Sequence, residues 1–369
     1  MSGGKITVGG VIFPVLALGL VAIFAAGERW LDAMPPTLAW APSLVAAILV
    51  IGSVFATLQH AGRIGARVGE PLGTLVLTIA VTIIEVAIMS SMTTHGSDNP
   101  TEAREAVFSA IMIVCNGLVG LCLLLGGFRH GEQELHPMGA SAYLAVLIAL
   151  SMLTLILPNY TTSTPGPTLS RAQLGFVSVL SILLYCAFLF IQTVRHRAYF
   201  IDARMAAVGH MGAKPTLNQA LISLVGLGAS LTGVSLLAEH VIPGLEEALK
   251  WAGVEEVNPV TGAAVAVLVL MPEGMNSVRA AARNALQTSL NGALGSVVAT
   301  IGLTVPTVAL MSLASGREIV FGLDHRDSAM LMLTLMLSVV SFGAGRTNVL
   351  TGLVHLVVFA AYAFFLFAP

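Results

Sequence analysis

Residues Gly73 to Met92 read GTLVLTIAVTIIEVAIMSSM, a run long enough to cross a bilayer with one ionisable group in it, Glu85. A spanning helix needs about 20 predominantly apolar residues, and an acidic side chain near the bilayer centre costs at least about 2.5 kcal/mol. A carboxylate kept at that cost faces protein or water and marks a functional site. With 56% hydrophobic and 10% charged residues, and a mean hydropathy of +0.90, the chain has more apolar surface than one soluble core can hide. Only helices and closed barrels satisfy their own backbone hydrogen bonds in lipid, and these runs lack strand-like alternation. The expectation is an all-α integral membrane protein whose first partner is the lipid bilayer.

Eleven spans are predicted, at 11–26, 38–58, 72–92, 105–127, 139–157, 171–193, 216–238, 259–275, 287–313, 329–345 and 348–367. The first run follows a single lysine and lacks a clear cleavage site, so it reads as a leading span and not as a removed signal peptide. Of the 17 Lys and Arg, 11 fall on the side of the N-terminus. The positive-inside rule then places the N-terminus in the cytoplasm and the C-terminus outside, in a bacterial inner membrane. Acids show the opposite bias, with Glu85 and Glu273 the only two assigned to the interior of spans. Cys115, Cys122 and Cys186 sit singly in apolar runs and read as packing residues.

The pattern repeats. After the leading segment (1–37), five spans (38–193) carry Glu85 in their second member, and five more (216–369) carry Glu273 in theirs. An odd number of spans per copy makes the two halves inverted repeats, expected to hold a site at the midplane. The stretch 194–215 is basic and reads as a cytoplasmic linker.

Several oxygen donors accompany the two acids. Thr78 and Thr82 precede Glu85 at i−7 and i−3, on one helical face, and hydroxyls with a carboxylate suit a hard cation. Glu273 lies in LVLMPEGMN, where Pro272 cannot donate to the carbonyl of Leu268. A break or kink is expected there, freeing carbonyls, with Asn276 and Ser277 beyond it. The third member of each half adds Asn116 in the first, and Ser296 and Thr300 in the second. His60, and His240 beside Glu239, fall at predicted span ends and are candidates for proton relay. His355, within the last span, reads as a satisfied packing histidine.

The segments GEPLGTLVLTIAVTIIEVAIM, AIMIVCNGLVGLCLLLGG, LVLMPEGMNSVRAA, GSVVATIGLTVP and FGAGRTNVLTGLVHL together resemble the bacterial calcium/proton antiporters of the CAX type, in the cation/calcium exchanger superfamily. The resemblance covers residue 50 or so to the end. It implies a leading helix, two inverted five-helix repeats, and one essential glutamate from each, at positions matching Glu85 and Glu273. Two features depart from the family pattern. The Gly-Asn-x-Pro-Glu signature is reduced to Thr-Ile-Ile-Glu and Met-Pro-Glu, and a basic linker replaces an acidic one.

The expected function is exchange of cytoplasmic calcium for external protons at the two glutamates, with sodium or potassium as the alternative cargo. Two carboxylates balance a divalent ion. When it leaves, neighbouring carboxylates do not both stay ionised cheaply, and protons replace it. A passive acid-lined channel is a rival of another class. No Gly-x-Ser-x-Gly or His-Glu-x-x-His motif points to an enzyme. No resident cofactor and no nucleic acid are expected; a homo-oligomer is left open.

Overall fold

The computed structural model describes residues 6–27, 40–69, 72–95, 100–200, 214–254 and 256–368; of 72–75, 77–78 and 90–95 no side chain is described. The helices are α1 (Val8–Ala26), α2 (Trp40–Val68), α3 (Leu72–His95), α4 (Glu102–His130), α5 (Pro137–Tyr160), α6 (Arg171–Arg195), α7 (Leu217–Trp251), α8 (Val257–Ala282), α9 (Leu286–Ser315), α10 (His325–Gly343) and α11 (Val349–Phe367). Among the described residues, ten of these are long and apolar enough to cross a membrane. The remaining one, α3, is the predicted third span and is helical over 24 residues. The chain is an all-α integral membrane protein.

Polar side chains start several of these helices. Thr7, Asp324 and Asn348 each accept a backbone N–H of their own first turn, and Ser170 and Thr216 close reciprocal capping boxes with Gln173 and Gln219. Such caps satisfy donors that the first turn leaves open.

Two predicted ends move by ten residues or more. α2 runs ten residues past its predicted end to Val68, and α7 continues to Trp251 through Pro243. Hydropathy reports where the hydrocarbon ends, whereas a helix continues until something stops it; α2 stops only before Gly69, whose φ is +85°. His60, His240 and Glu239 therefore lie inside long helices, not at their ends.

A second correction concerns the acids. Glu102, Glu105 and Asp327, assigned to outer loops, occupy the first turns of α4 and α10 and are buried. Helix N-termini favour negative charge, and Arg104 and Arg326 pair with Glu105 and Asp327. Burial of acids in helices is thus not confined to Glu85 and Glu273.

The chain forms two compact units, one of residues 1–99 and 210–257, the other of 100–209 and 258–369. In the first, α7 packs along α2, with α1 and α3 against both. Large apolar side chains of α1, among them Val8, Val11, Val15 and Ile23, stay exposed as a lipid-facing surface requires. In the second, α11 lies along α4, α10 and the first part of α9 pack on α5, and the rest of α9 packs on α6. Beyond the ends of α4 and α10, β1 (Gln133–Glu134) and β2 (Arg346–Thr347) pair antiparallel, Gln133 opposite Thr347.

Candidate functional site

In the first unit Glu85 lies on α3 and is 3% exposed. One turn before it, the buried hydroxyl oxygen of Thr82 has no hydrogen-bond partner, and a buried oxygen left so is expensive by about 1–3 kcal/mol. Thr78 belongs to the same helix, but its side chain lies outside the described residues.

The two relay candidates in this unit hold the leading helix. His60 is buried with Nε2 3.0 Å from the carbonyl oxygen of Gly10. The ring fits because Gly226 of α7 lacks a side chain: a Cβ there would come within 2.3 Å of it. His240 stacks on Phe24 with ring centroids 4.2 Å apart. Both imidazoles thus brace α1, at opposite ends. Glu239, the neighbour of His240, is part-buried in α7.

In the second unit Glu273 is part-buried within α8. Of the expected break or kink, a break is absent: α8 is helical from Val257 to Ala282, with Pro272 buried inside it. Membrane helices tolerate an internal proline when neighbours re-satisfy the freed carbonyl. Beyond the glutamate, Asn276 is exposed and Ser277 buried, as a 100° step per residue requires. The Ser277 hydroxyl faces Gly292 of α9, where a Cβ would lie 2.9 Å from it. α9 turns back after α8, so four residues back along α8 from Ser277 and four forward along α9 from Gly292, Glu273 and Ser296 come level. The buried hydroxyl oxygens of Ser277 and Ser296 have no hydrogen-bond partner. Thr300 instead donates to the carbonyl of Ser296 at 3.1 Å.

α8 also runs parallel to α4. Gly262 packs on Glu105 and Ala106, and twelve residues further along each helix Gly274 packs on Leu118. Leu118 closes a π-helical turn, Ile113–Leu118, which interrupts α4 and carries Asn116. Glu273 is therefore level with that turn. Asn116 is fully buried; its Nδ2 donates to Thr334 Oγ1 at 2.8 Å, and its Oδ1 lies 3.3 Å from His355 Nδ1. His355 is the satisfied packing histidine expected, and its partners place it in this polar cluster.

A matching π turn, Thr300–Thr304, interrupts α9. Thr304, fully buried, follows Glu273 by 31 residues, as Asn116 follows Glu85. It was not singled out from the sequence, although that equal spacing would have found it. Among the described residues no three His, Cys, Asp or Glu side chains gather as a metal-binding group.

Bilayer-crossing helices that bury acids, with unpartnered hydroxyls turned inward beside them, define an integral membrane protein built to handle cations. The chain belongs to the sodium/calcium exchanger protein family, whose model matches residues 38–194 and 222–368. It is a member of a family of exchangers, not of catalysts. It is 44% identical over 324 residues to a putative ionic transporter, y4hA, of Sinorhizobium fredii, covering 86% of each chain. It is 36% identical over 365 residues to the sodium-potassium/proton antiporter ChaA of Escherichia coli, covering 97% of this chain and 96% of that one. Its fold is similar to that of a solved H+/Ca2+ exchanger, CAX, with a TM-score of 0.68 at 14% identity, covering 97% of this chain and 89% of the other.

Proposed function

We propose that this protein is a proton-coupled cation antiporter in which Glu85 and Glu273 are the groups for which cation and protons compete. The observation carrying this reading is the likeness to ChaA, a sodium-potassium/proton antiporter, along 97% of the chain, together with an acid in the second span of each matched segment. The two matched segments, 38–194 and 222–368, support two repeats, taken to be inverted, behind a leading helix. The N-terminus is assigned to the cytoplasm of a bacterial inner membrane, from the Lys and Arg bias.

In the exchange, each ionised carboxylate takes up cation with the unsatisfied hydroxyls of its own unit, Thr82 for Glu85, and Ser277 and Ser296 for Glu273. Asn116 adds its carboxamide oxygen. Protons arriving from outside neutralise the same carboxylates and release the cation. Alternation of the protein between its two faces occurs when the acids are neutralised by either, since bare charge in the membrane interior is disfavoured by several kcal/mol.

Sodium or potassium is the first cargo, on the likeness to ChaA. Calcium is the second reading, favoured by the charge balance of two carboxylates against one divalent ion. The test is a pH-sensitive dye in proteoliposomes holding a proton gradient and challenged with sodium, potassium or calcium chloride. Each true cargo collapses the gradient. A gradient that survives all three salts refutes the proposal, and ion currents without proton movement would favour a channel.

A further inference from the structure

His355, wholly buried in α11, uses both ring nitrogens. Nδ1 lies 3.3 Å from Asn116 Oδ1, and Nε2 lies 3.0 Å from Ser341 Oγ. An amide oxygen only accepts, so Nδ1 carries the hydrogen and the Ser341 hydroxyl donates to Nε2. At the other end of the carboxamide, Asn116 Nδ2 donates to Thr334 Oγ1, whose own hydrogen goes to the carbonyl of Met330 at 2.8 Å. A flipped amide would need the other tautomer of His355 and would draw the Thr334 hydrogen away from the Met330 carbonyl. The orientation seen keeps all of these bonds.

The backbone is arranged to hold the ring there. α11 reaches α4 through facing glycines, and a Cβ at Gly352 would lie 2.5 Å from the Leu124 nitrogen. On the other helix, a Cβ at Gly120 would lie 3.1 Å from His355 Cβ. Asn116 itself sits in the π turn of α4, and Leu118 of that turn packs on Gly274, next to Glu273. An amide oxygen has two lone pairs; the His355 ring meets one of them and also bonds the backbone of the adjacent Cys115.

We propose that His355 is a positioning residue for cation binding. It holds the Asn116 carboxamide in the orientation that presents the second lone pair of Oδ1 to the transported cation, and so it sets the affinity for the cation more than the rate of turnover. This rests on the reading of Asn116 as an oxygen donor in the exchange. The chemistry it favours is a hard cation that takes neutral oxygen alongside carboxylate.

The experiment compares His355→Leu with His355→Asn, whose amide N–H replaces the Nδ1 donor. Two assays of the full chain read the effect: half-saturation of proton exchange in proteoliposomes, and thermal stabilisation of the purified protein in detergent titrated with sodium, potassium or calcium chloride. His355→Leu is expected to raise the half-saturating concentration by about tenfold, the effect typical of residues that orient a ligand, with turnover within about twofold of the wild type. His355→Asn restores most of the affinity. Combined with Asn116→Leu, His355→Leu adds no further loss, because both act through one oxygen. Should His355→Leu fail to fold, Ser341→Ala keeps the ring but removes the donor that fixes its tautomer, and is expected to raise half-saturation by about threefold. Unchanged half-saturation in these variants, or a fall in turnover alone, overturns the proposal. If the wild type exchanges none of the three cations, the proposed function fails; the stabilisation titration then still decides for or against His355.

Discussion

Asn116 Nδ2 donates to Thr334 Oγ1 across 2.8 Å, joining residues 218 positions apart in a fully buried contact between α4 and α10. A valine in place of Thr334 keeps the shape and removes the acceptor, leaving a buried amide N–H unsatisfied. Thr334→Val is expected to destabilise the protein by about 1–2 kcal/mol, and Thr334→Ser by less. Thermal unfolding in detergent, followed by circular dichroism, measures both.

The glycine contact between α4 and α11 makes a sharper contrast. A Cβ at Gly352 meets the Leu124 nitrogen at 2.5 Å and the Gly120 carbonyl oxygen at 2.9 Å, both backbone atoms that cannot turn aside. Gly352→Ala therefore forces the helices apart and is expected to destabilise by about 1–3 kcal/mol. At Gly274 the nearest atoms are Leu118 side-chain carbons at 3.6 Å, ordinary contact. Gly274→Ala is expected to be within about 0.5 kcal/mol of the wild type in the same unfolding assay.

His60 separates a structural role from a proton relay. Its ring bonds to the Gly10 carbonyl and fills the space above Gly226. His60→Ala is expected to weaken the hold of α2 and α7 on α1, lowering the unfolding temperature, while the dependence of exchange on pH keeps its shape. A relay would shift that profile. Measuring exchange rate from pH 6 to 9 in both proteins distinguishes the two.

Most of the helices were legible because one physical demand, an apolar run of membrane length, sets them. α10 and α11 fall within a few residues of the expected spans, and the tight turn between them is where predicted. What hydropathy misses is governed by other forces. It cannot say that α2 continues to Val68, since helix hydrogen bonding does not end where hydrocarbon does. It put Glu105 and Asp327 in loops, because charge reads as water unless a helix N-terminus and an adjacent arginine are seen in three dimensions. The expected break at Pro272 rested on local backbone chemistry and did not account for the helix continuing on either side. The π turns at Ile113–Leu118 and Thr300–Thr304 have no compositional mark at all. For that reason Asn116 was legible as a lone amide in an apolar helix, whereas its hydrogen bonds to Thr334 and His355 from the far end of the chain were not.

The two glutamates give different predictions if they act together or apart. Glu85→Gln and Glu273→Gln each remove one proton-binding group while keeping a similar shape. Each is expected to abolish proton-coupled cation exchange in proteoliposomes, by at least about a hundredfold, with the unfolding temperature close to that of the wild type. Residual exchange at the wild-type rate in either variant would remove that residue from the mechanism.

The most direct measurement is the number of protons released when a cation binds to the purified protein. Calorimetric titration with sodium, potassium or calcium chloride, repeated in buffers of different ionisation enthalpy at pH below and above neutrality, counts them. Competition at Glu85 and Glu273 predicts proton release on binding at the lower pH, declining as pH rises, and reduced in either glutamine variant. Cation binding that releases no protons at any pH, or releases them undiminished when both glutamates are replaced, would contradict the account.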